Sequence, residues 1–196
     1  MHDFTRLDDA ILTTLRTSIG MLREENDSLA LVACGMVEDL TGFFVAGADA
    51  TWLTGLDGSS EDRAQSAWWP SEWPHGADDP SDTAPGRVTS AIWALSGTQA
   101  VIDGTGKALE GEAYDALCRD YEHRIVLALR QLQAEGELRD SAGRELWVWL
   151  HSADDSDSEL DERTFGLLQS SDLAADFSER FGAGSDRLLN RIARRT

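Results

Sequence analysis

Residues 29–37 read LALVACGMV and residues 43–48 read FFVAGA, and these two stretches decide the fold. The first is apolar throughout and short for a helix, which predicts a strand that is buried on both faces. Residues 38–42 (EDLTG) are polar and end in glycine, as a hairpin connection does. Because this connection is short, we expect the second strand to pair antiparallel with the first.

Segments with helical periodicity flank the hairpin. Apolar residues recur every three or four positions over residues 3–24 and 111–135, which gives each segment one apolar face. Residues 145–150 (ELWVWL) predict a third strand. Further helices are predicted over residues 60–68, 87–102, 159–170, 172–181 and 185–195, and a long surface loop over 70–86. This order predicts an α+β fold: a single three-layer domain whose small, mainly antiparallel sheet is flanked by helices.

The two ends of the chain differ in charge. We assign residues 1–186 to the α+β domain and residues 187–196, which carry four arginines and no acid, to a basic C-terminal helical tail. The N-terminal MHDFTRLDDA is acidic, whereas a signal peptide needs a basic start and an apolar stretch. The sequence also lacks an apolar run long enough to span a membrane. We therefore expect a cytoplasmic protein with no membrane partner.

The net charge restricts the class of partner. Thirty-six acids against seventeen bases give a formal charge of −19, which argues against nucleic acid because phosphate contacts need clustered Lys and Arg. A basic protein partner is compatible with this charge. The alternative is a housekeeping structural domain whose acidity reflects genome composition, since one lysine against sixteen arginines indicates GC-rich codon usage.

Residues 68–75 (WWPSEWPH) are the first candidate interaction site. Three tryptophans in a proline-rich segment offer large contact areas, and tryptophan is enriched in interface hot spots. We select Trp69, Glu72 and Trp73 as partner-binding residues, with Trp73 as the surface-exposed indole. The alternative is that these tryptophans fill the edge of the core, because exposed tryptophan is unfavourable in a soluble monomer.

Residues 154–162 (DDSDSELDE) are the second candidate, an acidic patch for a basic partner. A calcium-binding loop starting at Asp155 would need Gly at position six and Glu at position twelve, where this chain has Leu160 and Gly166. The alternative is a solvated loop that leads into a helix. The acids selected as partner-binding are Asp154, Asp155, Asp157, Glu159 and Asp161.

Motifs for catalysis or for a cofactor are absent from the sequence. The four histidines do not pair at metal-binding spacing, Cys34 and Cys118 are not part of a CxxC, and residues 103–107 (DGTGK) lack the spacing of a phosphate loop. We expect no metal, no cofactor and no catalytic residues. A further alternative is a small-molecule enzyme with a pocket under the tryptophan-rich segment, which would hold Glu72 and His75 in one cavity.

Three stretches, residues 29–53, 68–74 and 145–165, resemble a bacterial domain-of-unknown-function family, number four-three-zero-three. The resemblance covers roughly residues 3–181 and implies an N-terminal helix, an apolar strand pair and a late strand that ends in an acidic turn. The residues that fit its tryptophan block are Trp69, Pro70, Glu72 and Trp73, and those that fit its acidic turn are Asp155 and Asp157.

The late segment GLLQSSD departs from the Leu-Asn-Pro ending of that family. Small acidic proteins of this kind are similar to immunity proteins that are encoded beside bacterial toxins. The acidic run 154–162, the tryptophan-rich segment and the absence of a catalytic motif lead to our main hypothesis, a non-enzymatic protein-binding module, for which the analogy implies a toxin-immunity protein.

Overall fold

The fold is built from helices and one sheet. The computed structural model describes residues 3–36, 40, 42–76, 83–153 and 158–195, with only the backbone of residues 83–85. The described helices are α1 (Thr5–Glu25), α2 (Ala50–Thr54), α3 (Ser60–Trp68), α4 (Thr83–Ser96), α5 (Thr98–Ile102), α6 (Glu112–Ala134), α7 (Ser158–Leu168), α8 (Ser171–Ser178) and α9 (Ala183–Ala193). The strands are β1 (Leu29–Met36), β2 (Phe43–Asp49), β3 (His75–Gly76) and β4 (Trp147–Ser152), and a 3₁₀ turn covers Pro70–Glu72.

The sheet has the strand order β3-β2-β1-β4. β1 pairs antiparallel with β2, as the short connection predicts, and parallel with β4, with Val32 opposite Val148. β2 pairs antiparallel with the two-residue β3. The structure thus confirms an α+β fold with a small sheet, and β1 is buried from Leu29 to Gly35 because both of its faces are covered.

The two faces of the sheet carry different cores. On one face, α1, α4 and α6 bury aliphatic side chains against Val32, Val45 and Val148, and we call this the aliphatic core. On the other face, α2, α3, α8 and α9 pack around aromatic rings, and we call this the aromatic core. The rings at its centre are Trp68, Trp73, Trp147, Trp149, Phe165 and Phe177. α7 runs beside β4 and contributes side chains to both cores.

Two predicted segments differ from the structure. The helix predicted over 87–102 is divided into α4 and α5 at Gly97, which has a φ of 79°. A Cβ there would lie 2.4 Å from the carbonyl oxygen of Lys107, so both the dihedral angle and the close approach require glycine. The loop predicted over 70–86 contains the 3₁₀ turn, β3 and the first residues of α4.

The predicted boundary between domain and tail is wrong. It falls after residue 186, inside the single helix α9, whose Leu188 and Ile192 are fully buried in the aromatic core. Two of the tail arginines, Arg187 and Arg191, form ion pairs with Asp176 at the end of α8. Residues 187–193 are therefore part of the domain, because the apolar stripe of this helix outweighs its basic character.

Candidate functional site

The strand directions place several functional groups at one edge of the sheet. β1 and β4 run parallel, and β3 runs in the same direction because both β1 and β3 are antiparallel to β2. The last residues of these strands, Met36, Gly76 and Ser152, therefore lie at the same edge, which we call the carboxyl edge. Ligands of open α/β sheets bind at the carboxyl ends of strands, so this edge is the first place to look for a site.

A cleft of about 320 Å³ opens at the carboxyl edge, and we call it the edge cleft. Its apolar walls come from Phe44, Val45 and Ala46 of β2 and from Pro70 and Trp73 around the 3₁₀ turn. Its polar side chains are Ser71, His75 and His151, and Ala153 completes the lining with Gly76.

Gly35 of β1 leaves space for one wall of the edge cleft. It lies between Phe44 on β2 and His151 on β4 in the register of the sheet. A Cβ at this position would lie 1.6 Å from Cε1 of Phe44, so the phenyl ring occupies the space that any other side chain would need. The absence of a side chain at Gly35 thus lets an aromatic ring lie across β1 and form part of the cleft wall.

His151 is the polar group that the fold holds most tightly. Its ring is buried, and Nδ1 lies 3.1 Å from Oδ1 of Asp161 and 3.3 Å from Oδ2. Asp161 in turn accepts a 3.2 Å hydrogen bond from the guanidinium of Arg180, which is also fully buried and pairs with Glu162. The carboxylate of Asp161 thus fixes the imidazole orientation, as orienting carboxylates do at functional histidines.

His151 also lines a second, smaller hollow of about 230 Å³. This hollow is lined by Trp69, His151, Ser158, Asp161, Arg180 and Phe181. The indole of Trp69 meets the imidazole of His151 edge-on, with the ring centroids 5.8 Å apart. His151 therefore lines both hollows, and its ring is held between an aromatic contact and a carboxylate.

His75 is paired with a carboxylate in the same way. Its Nε2 lies 2.8 Å from Oδ2 of Asp49, while Oδ1 of Asp49 accepts the backbone N–H of Trp52 and caps α2. Burial raises the pKa of Asp49, but the hydrogen bonds from His75 and from the Trp52 amide outweigh it, and the pKa lies below the ordinary 3.8. Asp49 is thus an anion that joins the start of α2 to the rim of the edge cleft.

The tryptophan-rich segment is placed differently from its prediction. Trp73, predicted as the surface indole, is 8% exposed, donates from Nε1 to the carbonyl oxygen of Ala67 and meets Trp149 edge-on. The prediction is wrong because the 3₁₀ turn folds this ring back into the aromatic core. Trp69 is half-buried instead, and Glu72 is exposed, with the hydroxyl of Ser66 donating to it at 3.5 Å.

The acidic run is only partly within the described residues. Asp154, Asp155 and Asp157 lie outside them, and Glu159 is exposed in the first turn of α7. Asp161 is buried at 3% exposure, so its predicted place on a partner-binding surface is wrong. The reason is that α7 packs against β4 and turns this carboxylate towards His151 and Arg180.

His151, Arg180 and Asp49 are not among the site residues predicted from the sequence. A signal was present for His151, which continues the alternation of Trp147 and Trp149 along β4 and therefore lies on the aromatic face. Arg180 gave no such signal, because nothing in its sequence neighbourhood distinguishes a buried arginine from an exposed one. The enzyme alternative required Glu72 and His75 in one cavity, and of these two only His75 lines the edge cleft.

No protein-family model, curated protein sequence or solved structure matches this chain. In the part of the chain that the structure describes, no group of three or more His, Cys, Asp or Glu side chains is arranged to hold a metal ion. None of the described helices combines the length and the apolarity that crossing a bilayer requires.

Proposed function

We propose that this chain is a non-enzymatic, cytoplasmic binding protein that docks a basic partner protein at the carboxyl edge of its sheet. The observation that carries the proposal is the acid content of the segments joined to that edge. Segments 37–41, 77–82 and 154–157 follow Met36, Gly76 and Ala153 directly, and together they hold eight acids and no lysine or arginine. Like charges attached at one edge favour a partner of opposite charge and accelerate its association.

The charge balance elsewhere on the surface supports this edge as the docking face. On the helices, arginines neutralise acids in pairs such as Arg124 with Asp8 at 2.6 Å and Arg191 with Asp172 at 3.1 Å. The three edge segments contain no basic residue that could do the same within the segment. These fifteen residues hold eight acids and no Lys or Arg, whereas the rest of the chain has twenty-eight acids against seventeen bases, so the density of unbalanced negative charge is highest in the three segments.

Half-buried Trp69 lines the hollow next to His151 and supplies an indole, a group enriched in interface hot spots, and exposed Glu72 follows Ser71 of the edge cleft. The family resemblance and the analogy with immunity proteins support a particular partner. This partner is a basic toxin that is encoded beside this chain and whose activity is blocked by binding. The competing explanation is that the acidity reflects genome composition. It predicts that charge reversal at any edge of the sheet changes partner binding by the same amount.

The test compares charge reversal at two edges. The triple variant Asp154→Lys, Asp155→Lys and Asp157→Lys changes the carboxyl edge, and the control triple Glu24→Lys, Glu25→Lys and Asp27→Lys changes exposed acids that precede β1 at the opposite edge. The probe is the purified product of the adjacent gene, titrated by calorimetry at two salt concentrations. We expect the first triple to weaken binding at least about tenfold, and the control triple to weaken it much less.

Two results would contradict the proposal. Equal weakening by both triples would favour composition-driven acidity. An adjacent gene product that neither binds the wild-type chain nor loses toxicity when both are co-expressed would remove the immunity assignment.

A further inference from the structure

We infer that the edge cleft receives an arginine side chain of the basic partner. The inference rests on the proposed function and adds to it the chemical group that the cleft recognises.

The two histidines of the edge cleft favour a ligand that donates hydrogen bonds. His151 faces the carboxylate of Asp161 through Nδ1, and His75 faces the carboxylate of Asp49 through Nε2. A neutral imidazole paired in this way keeps its proton on the nitrogen that faces the carboxylate, and its other nitrogen is an acceptor. A guanidinium has five N–H donors and no acceptor, so it can donate to an imidazole nitrogen that a carboxylate leaves free.

The charged side chains near the two histidines favour a cationic ligand over an anionic one. Asp49, Asp161 and Glu162 supply three carboxylates, and Arg180 supplies one guanidinium that is already paired with Asp161 and Glu162. These four side chains carry a net negative charge, which disfavours a phosphate or carboxylate ligand. A cation is attracted by the same set.

The cleft walls select guanidinium over ammonium. Phe44, Pro70 and Trp73 present apolar and aromatic surface, and Trp73 retains 8% of its surface exposed. Guanidinium is planar and weakly hydrated and stacks on aromatic rings, whereas ammonium is a strongly hydrated point charge. The volume of about 320 Å³ is at the lower end of small-molecule pockets and fits one long side chain.

The first experiment uses small probes on the wild-type chain. N-acetyl-arginine amide is titrated by calorimetry, and the C–H resonances of His75 and His151 are followed by NMR. The matched probes are the isosteric, neutral citrulline derivative and the lysine derivative. We expect the arginine probe to shift both histidines and to bind at least about tenfold more tightly than either analogue. Equal binding of arginine and citrulline, or no shift at either histidine, would overturn the inference.

The second experiment blocks the cleft. Ser71 is exposed and lines the cleft, so Ser71→Trp fills its mouth, while Gln65→Trp places the same indole on the exposed surface of α3 as a control. We expect Ser71→Trp to abolish binding of the arginine probe and to weaken the partner at least about tenfold, and Gln65→Trp to bind both like the wild type.

The outcomes separate the two proposals. If Ser71→Trp binds the partner normally while the carboxyl-edge triple does not, docking at this edge stands and the arginine inference fails. If the arginine probe binds in the cleft but the partner binds Ser71→Trp and the carboxyl-edge triple variant as tightly as the wild type, the proposed function fails. The assignment of the cleft to a partner then fails as well.

Discussion

The aliphatic core and the aromatic core cover the same sheet in different ways. The aliphatic core is built from Leu, Ile and Val side chains of α1, α4 and α6, whose contacts need no particular orientation. The aromatic core is built from rings that meet at defined angles, for example Trp73 and Trp149 at 87° with centroids 5.2 Å apart. The polar groups of the candidate site are divided between the two sides: His151, Asp161 and Arg180 lie towards the aromatic core, whereas Asp49 and His75 follow the register of Val45 and Gly47 on the aliphatic face of β2.

The difference extends to buried charge. Beside the aromatic core, the fold buries Asp161 and Arg180 at 3% and 1% exposure and stacks the guanidinium on Phe177, 4.4 Å from the ring centroid. Within the aliphatic core, Cys34 is a buried thiol, and burial raises its pKa to about 12, so it stays protonated. The aliphatic side therefore contributes stability, while the aromatic side also positions groups that can recognise a ligand.

The largest expected effect comes from removing the buried guanidinium. Arg180→Met keeps most of the side-chain volume but leaves the buried carboxylate of Asp161 with His151 and without its guanidinium partner. We expect a loss of about 3–5 kcal/mol in the free energy of unfolding, measured by urea denaturation, because removing one partner of a buried ion pair is strongly destabilising.

The matched control is Arg187→Met, which removes a surface pair with Asp176 and Glu179 at 46% side-chain exposure. We expect about 0–1 kcal/mol for this change. Adding Asp161→Asn to Arg180→Met should recover part of the loss. If both single changes lower the free energy of unfolding by the same amount, the buried pair of Arg180 and Asp161 contributes no more to stability than the exposed pairs of Arg187.

A smaller effect separates two tryptophans of the aromatic core. Trp68 donates from Nε1 to the hydroxyl of Ser185 at 2.9 Å, whereas Nε1 of Trp149 is buried with no hydrogen-bond partner among the described residues. Trp→Phe removes similar volume at both positions, but only Trp68→Phe breaks a hydrogen bond. We expect Trp68→Phe to be the more destabilising by about 1–2 kcal/mol in urea denaturation. A reversed order would show that ring packing, and not hydrogen bonding, dominates this core.

The smallest effect is a pH dependence at the rim of the edge cleft. The folded pKa of Asp49 lies below 3.8, so its contribution to stability is present above the ordinary carboxyl pKa and is lost as the pH falls through the folded pKa. Asp49→Asn removes the charge while retaining a capping side chain for α2.

We expect the wild type to exceed Asp49→Asn in stability by about 1 kcal/mol or less at neutral pH, because solvent weakens a partly exposed pair. The difference should vanish in acid below the folded pKa. Exposed Asp57 provides the control, since Asp57→Asn removes a carboxylate outside this pair. A difference that stays constant across the acid range would show that the charge of Asp49 is not responsible.

The sequence was sufficient for elements whose apolar pattern is continuous. The hairpin, α1, α3 and α6 were predicted within one or two residues, because burial of one stripe or of both strand faces leaves a periodic record. α2 and β3 were missed, since a helix of five residues and a strand of two residues carry no such period. Gly97 divides a continuous apolar pattern by its dihedral angle, which that pattern does not encode.

The candidate site was less predictable than the fold. Composition indicated that residues 68–75 and 154–162 matter, but the direction of each side chain depends on long-range contacts. Trp73 points inwards because it donates a hydrogen bond to Ala67 and packs against Trp149. Asp161 points inwards because its carboxylate pairs with His151 and Arg180. Ala67 and His151 lie six and ten residues from their partners, but Trp149 lies 76 residues after Trp73 and Arg180 nineteen residues after Asp161.

That parallel pairing also governs what happens while the chain is being made. One side of β1 can pair with β2 as soon as β2 has been synthesised. Its other side remains unpaired until β4, which begins at Trp147, has also been synthesised. During translation, the open hydrogen-bonding side of LALVACGM is a template for a neighbouring nascent chain. We therefore expect a chain that is truncated before residue 147 to aggregate. We also expect slower translation or a lower temperature to change the yield of folded protein more than its final stability.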